Sequence, residues 1–181
     1  MQLKYVFLTV IFLIFGNQQD EEVIEWNESR ALTWADFKGD PILNTSAVAL
    51  TASGITFGYS VKTSNGKIVD FSTTVESHFY PNKSWYIKSK SNDYILKHEQ
   101  LHFDITELYT RKFRKEIQQL KVNPNIRQQL NDLHNAINQE LRNTQKRYDE
   151  ESEHSIVKSE QQRWNMYIAE ELKKLDSYKS Q

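Results

Sequence analysis

One five-residue stretch combines residue types and spacing that could do chemistry: His98-Glu99-Gln100-Leu101-His102. At about 100° per residue, His98 and His102 lie about 40° apart in projection and one helical turn apart, so both imidazoles can reach one tetrahedral zinc ion. Glu99 is rotated from His98 by about 100°, which keeps it off the metal and beside the water that the metal binds. The spacing predicts a zinc site with Glu99 as general base. The alternative is a chance pair of surface or core histidines.

A catalytic zinc ion needs a third protein ligand and keeps its fourth position for water. The chain has no cysteine, so only histidines and carboxylates remain as good ligands. Asp104 and Glu107 point away from the metal face of the same helix and are predicted to be structural, with Asp104 a candidate to orient an imidazole. The candidate third ligands therefore come later in the chain: His134, Glu140, Asp149, Glu150, Glu151, His154 and Glu160.

Among these candidates we choose His154. It falls at the expected start of a third helix, and packing of that helix against the first could bring it over the face that carries His98 and His102. The alternative for His154 is an exposed histidine that caps a helix. His134 flanks the apolar stripe of the second helix and His78 lies in a hairpin, so both are predicted to be structural.

The elements that must position this site begin with a β region. Between residues 47 and 61, small or apolar residues recur at alternate positions, which is the period of a half-buried strand. Asn65-Gly66 is typical of a type I′ turn. The returning strand again alternates, through Val69, Phe71, Thr73, Val75 and Phe79. The pattern predicts a small antiparallel sheet that contains this hairpin, with one more short strand over 85–87.

Three helices are predicted in the second half of the chain. The first covers about 92–120 and carries the histidine pair, the second about 124–147, and the third about 155–175. Residues 148–154 are predicted to connect the second and third helices. The fold class is therefore α+β: a small antiparallel sheet followed by three helices, zincin-like, with the His98–His102 motif on the first long helix.

Composition excludes several classes of function. Lysine and arginine number 23 against 24 aspartate and glutamate, and the net charge is −1, so no strong overall field draws the chain to nucleic acid or acidic lipid. Of the 181 residues, 38% are hydrophobic, which is enough for one core without disulfides. Residues 20–181 are predicted to form a single zinc-peptidase domain with a peptide or protein substrate.

The first nineteen residues indicate export. Residues 1–4 carry one positive charge, an apolar run covers residues 5–15, and a polar stretch follows. The run is shorter than the roughly 20 residues that a membrane-spanning helix needs. Residues 1–19 are predicted to be a signal peptide or a short N-terminal anchor, and the protein to be secreted or periplasmic. Membrane contact is expected only through this segment, if it stays uncleaved.

Four blocks of the sequence together resemble a bacterial family of domains of unknown function described as secreted zinc-dependent proteases. They are WADFKGDP (34–41), TASGI (51–55), HEQLHFDITELY (98–109) and YDEESEHSIVKSEQQRW (148–164). The resemblance covers 34–164 and implies a zinc metallopeptidase. Ser155 departs from the family pattern, which has glycine there. The pattern of the last block supports His154 as third ligand, and it falls on Tyr148, Asp149, His154, Gln161 and Trp164.

The hypothesis for this site is peptide hydrolysis by zinc-activated water. Glu99 takes a proton from the water and passes it to the leaving amine, while zinc and Tyr148 hold the oxyanion. The alternative for Tyr148 is an aromatic residue at a helix end with its hydroxyl in water. Asp149 and Gln161 are predicted to orient the histidine ligands. If an edge strand runs along the site, an extended peptide could add to it by main-chain hydrogen bonds.

Two other functions compete with this hypothesis. The first is a non-catalytic envelope protein that binds a partner on the same zincin-like fold, with its zinc structural or lost. The presence of Glu99 favours an enzyme, because a purely structural zinc site needs no carboxylate beside an open coordination position. The second is a zinc amidase that acts on cell-wall material, which substrate profiling would distinguish from a peptidase.

Overall fold

A computed structural model describes residues 21–42, 45 and 47–180. The predicted signal peptide, residues 1–19, lies outside the described residues. The described chain is α+β, with small antiparallel sheets followed by three long helices, as the sequence predicted. Within that part of the chain, none of the helices has both the length and the apolar composition needed to span a membrane.

The larger sheet has three antiparallel strands in the order β1-β4-β3. Strand β1 is Ile24–Glu25, β3 is Ser53–Ser64 and β4 is Lys67–Phe79. Asn65 and Gly66 connect β3 to β4 with φ of 49° and 73°, which confirms the type I′ turn predicted from the sequence.

A register shift changes which residues of β4 face inward near the turn. Lys62 pairs with Asp70 but Thr63 pairs with Ile68, so Val69 is the extra residue of a β-bulge. Val69 was predicted to belong to the alternating set of the returning strand, and this was wrong, since it is 47% exposed. Ile68 packs against the core in its place.

The smaller sheet pairs β2, Ala49–Leu50, with β5, Trp85–Tyr86. The sequence predicted one continuous strand over 47–61, whereas the structure divides it at residues 51–52. The reason lies in the hydrogen bonds of Ala52, whose N–H donates to Ser84 Oγ at 2.9 Å and whose carbonyl accepts from Tyr80 N at 2.9 Å. Ala52 therefore bonds to the segment before β5 instead of continuing the strand, and β2 is separated from β3.

The three helices are α1, Asp93–Gln119, α2, Ile126–Ser152, and α3, Lys158–Lys174. Asn92 caps α1 by accepting hydrogen bonds from the N–H groups of residues 94 and 95. Helix α2 continues five residues beyond its predicted end, so most of the predicted connection is helical. It ends where Glu153 adopts a left-handed conformation with φ of 45°. His154 therefore lies in the turn before α3, and its predicted place at the start of that helix was wrong.

Helix α1 lies at the centre of the molecule, in contact with β3 and β4 as well as with α2 and α3. The main core forms on its buried face, where Ile105, Leu108 and Phe113 are almost fully buried. A buried hydrogen bond of 2.7 Å between the hydroxyl groups of Tyr109 and Thr144 joins α1 to α2. Because this bond lies about two turns from His102, it helps to fix which residues of α2 face the histidine pair.

Candidate metal centre

Helix α1 presents the two motif histidines to one point. His98 is buried and His102 is partly buried, and their Nε2 atoms lie 3.2 Å apart. Their ring planes are nearly perpendicular, at 85°. Two side chains one helical turn apart therefore direct ring nitrogens toward the same place.

Helix α2 brings a carboxylate to the same point. Asp149 Oδ1 lies 3.2 Å from His98 Nε2 and 3.0 Å from His102 Nε2. Its side chain is 30% exposed, so solvent reaches the cluster from this side. Asp149 was predicted to orient the histidines; its oxygen contacts the nitrogens that would bind the metal. These three residues form a group that could hold a metal ion.

Gln145, one turn before Asp149 on α2, determines which nitrogen of His102 carries a proton. Its Nε2 donates to the carbonyl of His102 at 2.8 Å and lies 3.3 Å from Thr106 Oγ1, which orients the amide. Its Oε1 therefore accepts from Nδ1–H of His102. A neutral His102 in this state has a lone pair on Nε2, directed at the carboxylate oxygen of Asp149.

Two lone pairs facing each other at 3.0 Å repel, so the cluster requires a positive charge. A second proton on His102 supplies it in the absence of metal. Burial disfavours the charged imidazole, but the hydrogen bond to Asp149 and the charge of that carboxylate outweigh burial and raise the pKa of His102. Burial also opposes ionisation of Asp149, yet hydrogen bonds from His102 and His98 hold the pKa of that carboxyl well below its usual range.

A divalent cation supplies the same charge, and the donor atoms fit one. Tetrahedral zinc ligands lie roughly 3.3 to 3.6 Å apart, because zinc binds nitrogen and oxygen at about 2.0–2.2 Å. The three donor atoms lie 3.0 to 3.2 Å apart, within a few tenths of an ångström of that spacing. Two imidazole nitrogens and one carboxylate oxygen are also the donor types that zinc takes at catalytic sites. The residues present therefore fit the ion that the motif predicts.

His154 lies at the edge of this group. Its Nδ1 is 3.5 Å from Asp149 Oδ1, and its side chain is 75% exposed. It belongs to a run of three residues with positive φ, Glu153, His154 and Ser155, at 45°, 51° and 77°. Ser155 has the largest φ of the three. The structure thus brings His154 next to the cluster, while His98, His102 and Asp149 are the residues whose donor atoms all lie within 4.8 Å of one another.

The two residues predicted to be catalytic both lie beside the cluster. Glu99 is 5% exposed in the protein, and its charge acts on both His102 and Tyr148. The Tyr148 ring stacks on His98 with centroids 4.5 Å apart and planes at 27°. Burial, reinforced by the charges of Glu99 and Asp149, raises the pKa of Tyr148, so its phenol stays protonated as a hydrogen-bond donor must. Its hydroxyl is buried and has no hydrogen-bond partner among the described residues.

Other residues named from the sequence have structural contacts. Asp104 accepts hydrogen bonds of 2.8 Å from Trp26 Nε1 and Gln100 Nε2, so it anchors the chain before β2 to α1 and does not orient an imidazole. Gln161 donates to the carbonyl of Tyr94 at 3.3 Å rather than to a histidine ligand. Its predicted role in orienting a ligand is therefore not seen in these contacts.

The remaining predicted structural residues are buried in packing or paired. His134 packs against the rings of Phe57 and Phe113, with centroids 5.0 and 5.6 Å apart. His78 bonds to Thr56 Oγ1 at 2.7 Å within the hairpin. Glu107 is fully buried, and a 2.7 Å ion pair joins it to Arg111. All three agree with the structural roles expected for them.

The sequence reasoning missed Gln145. Glutamine is common on solvated helix faces, so its type gives no signal. The available signal was spacing: Gln145, Tyr148 and Asp149 are three and four residues apart, which places them on one face of a helix. Using that signal required α2 to extend past residue 147, and the predicted helix ended there.

One comparison with known proteins gives a match. The sequence profile of a family described as "Bacterial protein of unknown function (DUF922)" matches residues 33–155, which is more than half of the 181-residue chain. No curated protein and no solved structure matches. The matched range contains the histidine pair of α1, the α2 residues that meet it and His154. The chain therefore belongs to this bacterial family of unknown function, DUF922.

Proposed function

We propose that the protein is an exported zinc-dependent metallopeptidase with a zincin-like arrangement of helix and edge strand. One observation carries the proposal. His98 Nε2, His102 Nε2 and Asp149 Oδ1 converge to within 3.2 Å of one another, Asp149 is 30% exposed, and the charge of Glu99 acts on His102. Three acceptor atoms that point at one place and lie this close together repel one another, and a cation bound between them removes the repulsion.

His98 and His102 are two of the proposed zinc ligands, and the end of α2 supplies the third. His154 is the ligand that the sequence resemblance implies, and Asp149 is the one that donor spacing supports. The two residues lie 3.5 Å apart, and Asp149 is the one whose donor atom lies within 4.8 Å of both motif histidines. A site with three protein ligands leaves a position for water and substrate.

The proposed chemistry is hydrolysis of an amide bond. Zinc, when bound, supplies a Lewis acid that makes water a nucleophile near neutral pH. Glu99 accepts the proton of the attacking water and delivers it to the leaving amine. The Tyr148 phenol, protonated and next to His98, is the proposed donor to the oxyanion. The proposed general base and the proposed oxyanion donor are therefore both side chains of this protein.

The proposed substrate is a peptide in an extended conformation. Strand β2 pairs with one strand, β5, among the described residues, so it has a second edge for another strand. The hydroxyl of Thr51, directly after β2, donates to the backbone carbonyl of Glu99 at 3.2 Å. This bond holds β2 against α1 at the proposed general base. A peptide added along β2 would therefore pass beside Glu99.

The test is metal analysis combined with hydrolysis assays on purified protein. We expect about one zinc per chain, lost in His98→Ala and His102→Ala. In Glu99→Gln, hydrolysis of a peptide library should fall by about 10² to 10⁴, the usual contribution of a general base, while zinc stays bound. His134→Ala is the matched control, because this histidine packs against Phe57 and Phe113, lies outside the donor group and should leave zinc content unchanged.

A protein without stoichiometric zinc, or one whose zinc content is indifferent to both motif histidines, would contradict the proposal. Cell-wall fragments in the same substrate panel separate an amidase from a peptidase. Hydrolysis of these fragments alone would keep the zinc site and replace the substrate class.

A further inference from the structure

We infer that Gln145 is a positioning residue of the metal centre, which fixes the tautomer of His102 so that Nε2 is free to bind the ion. This inference rests on the proposed function, since it assumes that His102 binds a metal. It adds a residue that acts through His102 and touches neither metal nor substrate.

The contacts of Gln145 assign a direction to each of its amide atoms. Its Nε2 has two acceptors nearby, the carbonyl of His102 at 2.8 Å and Thr106 Oγ1 at 3.3 Å. Turning the amide over would set its oxygen against the carbonyl of His102, which has no proton to give. The oxygen of Gln145 must therefore face the imidazole of His102.

An oxygen that faces Nδ1 admits only the tautomers of His102 in which Nδ1 carries a proton. The neutral form then has its lone pair on Nε2, the atom that lies 3.2 Å from His98 Nε2 and 3.0 Å from Asp149 Oδ1. The opposite neutral tautomer would place a proton where the ion binds. Gln145 thus prepares His102 as a ligand before any metal arrives.

A short chain of hydrogen bonds holds Gln145 itself in place. Thr106 Oγ1 donates to the carbonyl of His102 at 3.2 Å and lies 2.7 Å from Ser53 Oγ, at the start of β3. Gln145 is therefore connected to α1 and to the larger sheet. Its amide is fixed by residues from two other elements, α1 and β3, which is what positioning of a neighbour requires.

The two histidines differ in what contacts Nδ1, and His102 is the one whose Nδ1 proton Gln145 accepts. Nδ1 of His98 is buried and has no hydrogen-bond partner in the described chain. His98 stacks against Tyr148 and contacts Asp149 through Nε2, and neither contact places a proton on Nδ1. Within the described histidine pair, Gln145 is the side chain that accepts from an Nδ1 atom, the nitrogen that faces away from the proposed ion.

The experiment compares Gln145→Met, which keeps the length of the side chain without an acceptor, with Gln145→Glu, which restores an acceptor for Nδ1–H. Gln139→Met is the matched control, because Gln139 is an exposed glutamine on the same helix. Zinc affinity is measured by chelator competition on the full chain. The exchange rate of the His102 Nδ1 proton is measured by NMR in metal-free and zinc-loaded protein.

We expect Gln145→Met to bind zinc about 10- to 100-fold more weakly, as for other residues that orient a metal ligand, and to lose the slowly exchanging Nδ1 proton. Gln145→Glu should keep that proton and recover most of the affinity, and Gln139→Met should match the wild type. Zinc affinity of Gln145→Met within twofold of the wild type would overturn the inference. So would a wild-type His102 Nδ1 proton that exchanges freely with solvent, a measurement that needs no variant to fold.

Failure of the proposed function looks different. A wild-type chain that binds no zinc would contradict the metallopeptidase and the role of Gln145 in preparing a ligand. The Nδ1 proton in metal-free protein would still report whether Gln145 holds His102. A chain that binds zinc but hydrolyses no peptide would contradict the proposed activity. The role of Gln145 would then still be decided by the zinc affinity of Gln145→Met relative to the wild type.

Discussion

At the scale of single residues, the centre is defined by an excess of acceptors. Asp149 Oδ1 contacts both Nε2 atoms, and the Gln145 amide keeps the available proton of His102 on Nδ1. The histidine pair was predictable because one helix fixes both side chains through a spacing of four residues. Asp149 and Gln145 were not assigned these contacts, because their meeting with His102 depends on how α2 packs against α1.

The third ligand can be identified by exchanging one donor at a time. Asp149→Asn keeps the shape of the side chain but removes the charge that the two imidazoles share. If Asp149 binds the ion, we expect zinc affinity to fall by about 100-fold or more, which exceeds the usual effect of residues outside the ligand set. His154→Ala should then change affinity by less than about tenfold. The measurement is chelator competition at fixed pH.

The reverse ranking of these two variants would identify His154 as the third ligand. Equal and large losses would indicate that both residues bind the ion. His78→Ala serves as the control for removing a histidine, because His78 contacts the hairpin and lies outside the donor group.

At the scale of elements, the segment between α2 and α3 shows what local sequence could and could not predict. The type I′ turn at Asn65-Gly66 was predictable because only a few residue types adopt positive φ at both positions. The end of α2 was not, because residues 153–157, where the helix stops, contain no glycine or proline that would mark it. The helix ends at Glu153, the first of three residues with left-handed backbone, and none of the three is a glycine.

This run predicts that glycine at residue 155 stabilises the fold. Ser155 has φ of 77°, a conformation that costs a residue with a Cβ atom roughly 1 kcal/mol and glycine almost nothing. We expect Ser155→Gly to raise the free energy of unfolding by about 0.5–1 kcal/mol in urea denaturation. The substitution changes neither His154 nor the three residues of the donor group, so the variant should also retain zinc binding.

The same exchange within a helix is the control. Ser159 is exposed in the first turn of α3, where glycine is a poorer helix former than serine. We therefore expect Ser159→Gly to lower stability by a few tenths of a kcal/mol. If both variants lower stability alike, residue 155 does not depend on its left-handed backbone in the way described.

At the scale of the whole molecule, the metal group joins two helices that are separate in sequence. Helix α1 contacts strands β3 and β4 as well as helices α2 and α3, so it connects the sheet to the site. His98 and His102 come from α1, and Asp149 comes from α2. An ion bound by all three therefore binds the folded chain and not the unfolded one, in which these residues are far apart.

Zinc should consequently raise the thermal stability of the whole domain. At a free zinc concentration 100-fold above its dissociation constant, linkage adds about 2.7 kcal/mol to the free energy of unfolding. For a chain of this size, that corresponds to a rise in Tm of roughly 5–10 °C in calorimetry. His102→Ala should abolish the zinc-induced rise in Tm. His134→Ala should lower the Tm without zinc, since His134 packs against aromatic rings, but the zinc-induced rise should remain. The rise should also shrink as pH falls, because protons compete with the ion for both imidazoles. A Tm that zinc leaves unchanged in the wild type at neutral pH would mean that no ion links α1 to α2.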